Sequence, residues 1–377
     1  MKIGILTLPL HFNFGGILQA YALQSILERM GHDVVVFGKK RQTACFSIKR
    51  IPIYLYRIIK KYVLRKKNVI VFFEAQNYRD FERICENTSA FVKTHINERK
   101  VVSFKELKES EFDALVVGSD QIWRSRYVKS SWNTEISDAM LKFAEHWKIK
   151  RLSYAASFGT NQWELSPQET NEWRRLISLF NVVSVRERDG VDLCEKYLGV
   201  NAKVVVDPTM LLEKEDYRLL LADMADCKPD GDMLNYVLDE SDEVCRAVSK
   251  IAQKFSMKTF KVNVPADKKE IPVECRIQPS VEQWLNGFDK AKFVITDSFH
   301  ACVFSIIFKK PFVVFQNESR GCSRIRNLLS MFDLENHLVN ENSEILGIQN
   351  YEIPESVYEK VWNMKCASIN FLKSALA

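Results

Sequence analysis

Short apolar runs rich in β-branched residues alternate with amphipathic stretches along most of the chain. This is the pattern of parallel sheets joined by crossover helices. Lys2 to Leu8 reads as a buried strand, followed by the loop His11 to Gly16, a helix from about Gly16 to Met30 that ends at Gly31, and a strand Val34 to Phe37. The rhythm is interrupted over 39–110. There, Ile51, Leu55, Ile58, Ile59, Tyr62 and Val63 recur at helical spacing with Arg57, Lys60, Lys61 and Arg65 between them, and 74–110 reads as a helical insertion. Strands follow at Ala114 to Val117, Leu152 to Ala156, Val182 to Val185 and Val204 to Val206, with helices near 137–148, 167–179 and 189–198.

The polar segment Ala225 to Asp232 is the linker expected from its Pro and Gly. A second series follows, with strands Met233 to Leu238, Thr259 to Val264, Phe293 to Thr296 and Pro311 to Phe315 and helices 241–255, 280–290, 299–308 and 323–332. A last helix near 354–374 has no strand after it. The expected architecture is α/β, with two Rossmann-like doubly wound domains facing across a cleft. The first spans 1–224 and carries the insertion 39–110, and the second spans 225–345. Residues 346–377 are expected to pack back on the first domain.

Composition narrows the class. With 377 residues, 46% hydrophobic and 27% charged, the chain has a globular profile and no run of membrane-spanning length. The N-terminal apolar run leads into a Gly turn and reads as a core strand, not a leader. Nine scattered cysteines without a C-x-x-C spacing argue against a disulfide framework and a zinc site, and a cytoplasmic setting is expected. The net charge of +6 is local: eleven bases and no acids lie between Asp33 and Glu74, and the rest of the chain carries 43 basic and 48 acidic residues. A general nucleic-acid surface is not indicated.

Ligands in open α/β sheets bind beyond the strand C-termini, so the residues there carry the chemical argument. After the first strand, Asn13, Gly15 and Gly16 open a helix whose N–H groups suit an anion or a polar sugar; a tight structural turn is the alternative. Ser119, Asp120, Gln121 and Trp123 combine hydroxyl acceptors with a flat apolar face, as a saccharide site does, or else Ser119 or Asp120 caps a helix. Ser157 ends another strand. Arg186 follows an apolar strand and forks onto an anion or pairs with Glu187 or Asp189. Ser298 and His300 open a helix after Thr296, and Asp297-Ser298-x-His300 is too local to form a Ser-His-Asp relay. Arg320, Arg324 and Arg326 form either an anion grip or a solvated basic face. No metal-ligand spacing is present, and no cofactor is expected.

Six blocks together resemble the polysaccharide pyruvyl transferase family, over about residues 2 to 335. They are Asn13-x-Gly15-Gly16-x-Leu18-Gln19, Gly118-Ser119-Asp120-Gln121-Ile122-Trp123, Ser153 to Gly159, Ser184-Val185-Arg186-Glu187, Asp207-Pro208-Thr209, and Thr296-Asp297-Ser298-Phe299-His300. The resemblance implies a fold similar to GT-B glycosyltransferases. It also implies phosphoenolpyruvate as donor and a sugar hydroxyl pair as acceptor, with a pyruvate ketal formed on a surface polysaccharide or lipid-linked oligosaccharide precursor. By position, His300 matches the family's essential His and Arg186 its strand-end Arg. Asn13, Gly15, Gly16, Ser298, Arg320, Arg324 and Arg326 are then expected at the donor, and Ser119, Asp120, Gln121, Trp123 and Ser157 at the acceptor. The chain departs from many relatives at Ser298, where they carry Arg, and at Gly16, where they carry Asp.

His300 is expected to protonate the donor methylene carbon, with preorganised donors stabilising the anion. The basic amphipathic stretch within 39–67 is expected either to contact an anionic membrane at its inner face or to be an ordinary solvated helix and loop. Two rival readings are a nucleotide-sugar glycosyltransferase of the same fold, for which Glu318 is the acidic candidate, and a non-catalytic glycan-binding relative.

Overall fold

The computed structural model describes residues 1–41, 50–66, 69–132, 134–224, 226–316, 322–339 and 351–377. Two five-stranded, wholly parallel sheets organise the molecule. The first has the order β3-β2-β1-β4-β5, from β1 (Lys2–Leu6), β2 (Asp33–Lys39), β3 (Glu98–Val101), β4 (Ala114–Val117) and β5 (Lys150–Ser153). A two-stranded parallel sheet, β6 (Ser184–Val185) with β7 (Lys203–Val204), continues it through single bridges from Leu152 to Val182 and from Ala156 to Val185. The second large sheet has the order β12-β11-β10-β8-β9, from β8 (Met233–Tyr236), β9 (Thr259–Phe260), β10 (Phe293–Thr296), β11 (Phe312–Phe315) and β12 (Leu338–Val339).

The central strands β4, β8, β10 and β11 are buried at every position, which is why they read as continuous apolar runs. The order in which strands are added reverses once in each sheet, between β1 and β4 in the first and between β8 and β10 in the second. Chains leaving the sheet on opposite faces part at such a point and open a crevice beyond the strand C-termini. One hydrophobic core joins the two halves. Phe14 of the first stacks on Trp284 of the second at 5.6 Å between ring centroids, within a buried cluster that includes Ile3, Val116, Val294 and Leu372. The C-terminal helix Glu355–Leu376 lies against the turn Pro208–Leu211. There the Ser368 hydroxyl accepts the Val206 N–H at 3.1 Å, and Lys365 pairs with Glu213.

Three local expectations change. The insertion is helical over Phe73–Ile84 and Glu86–His95, but Glu98–Val101 adds an edge strand that its charged sequence conceals. The helix expected near 137–148 is instead two short 3₁₀ turns, Ile136–Met140 and Lys142–Ala144, broken where Leu141 adopts a left-handed conformation at φ 59°. The strand expected over Thr259 to Val264 keeps its ladder only at Thr259–Phe260. Among the described residues, no helix is long and apolar enough to cross a membrane.

Candidate functional site

Both reversal points open onto one cavity of about 320 Å³. Its wall takes Leu8, Pro9, His11, Phe12 and Asn13 from beyond β1, Asp120 and Gln121 from beyond β4, Leu238 from beyond β8 and Asp297 to His300 from beyond β10; Arg324 and Ile325 close it from the helix Cys322–Met331. The first two turns are laced together. Asn13 caps the helix Phe14–Arg29 by accepting the Gly16 N–H at 3.2 Å, and its Nδ2 donates to Asp120 at 3.4 Å. Buried Gln19 donates to Thr7 and to the Gly16 carbonyl, both at 2.8 Å, and accepts the Ser119 N–H at 2.8 Å. Gly118 is required beside them: its φ is +138°, and a Cβ there would fall 2.0 Å from the Tyr154 carbonyl oxygen.

In the second half, the Asp297 carboxylate accepts the N–H groups of Leu238 at 2.8 Å and Asp239 at 3.0 Å, which fixes the two turns relative to each other. Ser298 occupies the N-cap of the helix Phe299–Ile307, but its hydroxyl makes no capping bond. Ser298, Phe299 and His300 line the cavity, so the N-terminus of that helix, with its positive dipole end, lies at the wall.

Beneath this wall lies a buried charge network. Arg186 Nη1 donates to Asp207 Oδ2 at 2.7 Å. The same guanidinium has Asp120 and Glu187 each at 3.6 Å and covers the Phe299 ring at 4.1 Å. Asp207 Oδ1 accepts both the hydroxyl and the N–H of Thr209, at 2.7 and 3.0 Å. His300 Nε2 lies 3.6 Å from Asp207 Oδ2. Burial pushes the Asp207 carboxyl up, but His300, Arg186 and Thr209 outweigh it and hold it well below the usual carboxylate range. Burial and the neighbouring Arg186 lower Arg324 to about 10, still cationic at neutral pH, and its Nη1 lies 3.8 Å from Asp120. His11, on the opposite wall, is lowered to about 4 by burial, Arg41 and Lys100, so its imidazole is neutral at pH 7.

The His300 ring comes from the second half but rests on the first: a Cβ on Gly15 would fall 2.1 Å from its Nδ1. Gly15→Ala is expected to displace the ring and lower turnover about 10²-fold, the scale of a 1 Å misplacement. Circular dichroism should remain native, because Ala favours a helix over Gly. Unchanged kcat would show that this seat does not matter.

The structure gathers Asn13, Asp120, Gln121, Ser298, His300 and Arg324 at the cavity wall. It places other expected residues elsewhere. Arg186 does not reach the cavity as an anion clamp: three carboxylates draw it under Phe299, and its side chain is 2% exposed. Trp123 is no sugar platform, because its indole packs against Phe158 and Trp173 in the core and its Nε1 donates to the Ala139 carbonyl. The Ser119 hydroxyl is spent on the Ala155 carbonyl and that of Ser157 on Glu187. Gly16 donates its N–H to the Asn13 cap and lies outside the cavity wall. Exposed Arg326 bonds Gln316 and lines a separate polar cleft with Arg124 and Asn327. Arg320 and Glu318 lie outside the described residues.

Asp207 and His11 had no assigned role in the sequence reading. Position beyond a strand end, β7 for Asp207 and β1 for His11, is the available signal for both.

Asn13, Asp120, Gln121, Leu238 and Asp297 to His300 of this cavity wall lie within a match to the family model "Polysaccharide pyruvyl transferase" over residues 13–319, and Leu8, Pro9, His11, Phe12 and Arg324 flank it. The chain belongs to the polysaccharide pyruvyl transferase family. No curated protein matches it in sequence. Among solved structures, Staphylococcus aureus MnaA in a co-structure with UDP is similar at 12% identity and a TM-score of 0.52, covering 98% of this chain and 94% of that one. Arabidopsis thaliana UGT89C1 complexed with UDP-L-rhamnose, also at 12% identity, has a TM-score of 0.49 and covers 99% and 94%. UDP-GlcNAc 2-epimerase from Neisseria meningitidis, bound to UDP-GlcNAc, is 11% identical with a TM-score of 0.45, covering 99% and 100%. At 12% identity the likeness to MnaA concerns the fold alone, which is the two-lobed GT-B type. As a pyruvyl transferase family member, the chain is a transferase of polysaccharide biosynthesis.

Proposed function

We propose that this protein moves pyruvate from phosphoenolpyruvate to two hydroxyls of one sugar in a polysaccharide precursor, forming a cyclic ketal. The observation that carries this reading is the buried Asp207 carboxylate 3.6 Å from His300 Nε2, at the edge of a cavity whose wall also presents Arg324 and the start of the helix Phe299–Ile307. The donor is a small anion, and the cation and N–H groups suit its phosphate and carboxylate.

With Nε2 3.6 Å from Asp207 and the ring seated on Gly15, the imidazole is placed at the cavity wall for the substrate. His300 gives its proton to the methylene carbon, and the positive charge developing at C2 is taken by a sugar hydroxyl. That C–O bond forms as the hydroxyl proton returns to the imidazole. The C–O bond to phosphate then breaks, and the second hydroxyl closes the ring. Of the two hydroxyl protons, one ends in the new methyl group and the other on released phosphate. Asp120 offers a carboxylate oxygen to the sugar hydroxyls. Arg186 is a positioning residue that keeps Asp207 ionised and in place.

Release of inorganic phosphate from phosphoenolpyruvate is expected only when an acceptor glycan is present, together with a new methyl singlet of the ketal in the proton NMR spectrum. Turnover of a nucleotide sugar with no phosphate release from phosphoenolpyruvate would overturn the reading.

A further inference from the structure

Twelve of the seventeen large apolar side chains that are exposed among the described residues lie between Ile51 and Phe73. Helical geometry concentrates them. Ile51, Leu55, Ile58, Ile59, Tyr62 and Val63 fall on one face of the helix Ile51–Ile58 and its continuation Ile59–Val63, and all six are exposed, Tyr62 at 67% and Val63 at 70%. On this helix only Tyr54 is buried, beside Phe72 at 5.2 Å. An apolar stripe of this length is uncommon on a monomer surface and marks a contact site.

The flanks of the stripe are basic. Lys60, Lys61, Arg65 and Lys66 follow one another, and no acid occurs between Asp33 and Glu74. Among the described residues, the carboxylate paired with this segment is Glu74, which takes Arg57 at 2.8 Å and Arg50 at 3.4 Å and so fastens the helix to the next one, Phe73–Ile84.

We infer that this face docks on an anionic lipid bilayer, with the six apolar side chains entering the headgroup boundary and the bases on the lipid phosphates. Apolar insertion combined with basic flanks is the chemistry of an interfacial helix. A second copy of the chain is disfavoured as occupant, because a two-fold contact would bring the same bases face to face. The inference goes beyond the donor chemistry and does not depend on it.

The geometry connects the bilayer to the cavity. Phe81 of the helix Phe73–Ile84 packs edge-on against the His11 ring at 4.9 Å, and His11 lines the cavity. From Phe73 to Phe81 that helix rises about 12 Å. A glycan acceptor anchored in the bilayer would therefore meet the cavity close to the surface.

The test is sedimentation of the full chain with phosphatidylcholine vesicles, with and without phosphatidylglycerol. Binding is expected only to the anionic vesicles and should weaken roughly 100-fold in Lys60→Gln/Lys61→Gln/Arg65→Gln. It should also be lost in Tyr62→Ser/Val63→Ser, with native circular dichroism in both variants. Phosphate release with a water-soluble acceptor should be unchanged in both, which separates failure of docking from failure of the transfer chemistry. Equal binding to both vesicle types, no binding to either, or indifference to the substitutions overturns the inference. So does a doubled mass by light scattering that Tyr62→Ser/Val63→Ser abolishes, which would make the face a self-association surface.

Discussion

His300→Ala is expected to lower kcat about 10²–10⁴-fold, the range by which a positioned proton donor accelerates a reaction. On the proposed reading, the KM for phosphoenolpyruvate should change far less, because Arg324 and the N-terminus of the helix Phe299–Ile307 stay at the cavity wall to take the anion. The variant should stay folded: the ring is an edge contact at the cavity, and the following residues Ala301 to Phe304 anchor the helix in the core. Single-turnover phosphate release, measured beside circular dichroism, checks both halves. Turnover within about threefold of the parent would remove His300 from the chemistry.

The second large effect is on stability. Arg186→Met leaves Asp207, Glu187 and Asp120 without the guanidinium that sits among them, in a site where all three carboxylates are nearly buried. Breaking a buried charge pair from one side costs about 3–5 kcal/mol, readable as a lower denaturant midpoint.

The pH dependence has a definite sign. The folded Asp207 carboxyl is held below its ordinary value of 3.8, so its pairing stabilises fully above about pH 4 and is lost as pH falls toward the folded value. The gap between parent and variant should be constant from neutrality down to about pH 4 and shrink below it. A gap that instead widened in acid would contradict the assigned network. Arg186→Lys restores the charge without the fork and should recover only part of the loss.

Much of this site could be read from the sequence because strand ends are positional. Once the apolar runs are recognised as parallel strands, the residues after β1, β4, β8 and β10 must meet at the crevice, and His300, Asp120, Asn13 and Ser298 do so. Side-chain direction was not legible in the same way. Arg186 also follows a strand, yet its direction is decided by carboxylates 66 and 21 positions away, at Asp120 and Asp207. Trp123 is two residues from Gln121 but turns inward, because Phe158 and Trp173 offer it an apolar pocket that no local pattern announces. The edge strand Glu98–Val101 escaped for a related reason: only its last residue is fully buried, so its composition is that of a surface.

The seat of the His300 ring ties reactivity to the closeness of the lobes. Its underlying glycine and its carboxylate partner belong to one lobe while the imidazole belongs to the other. A hinge opening wide enough to admit a bulky glycan would pull the ring off both at once, leaving an acid without its anchor. On the proposed transfer chemistry, the enol phosphate would then be spared from stray water until the gap shuts, and the assembly would act as its own safety catch.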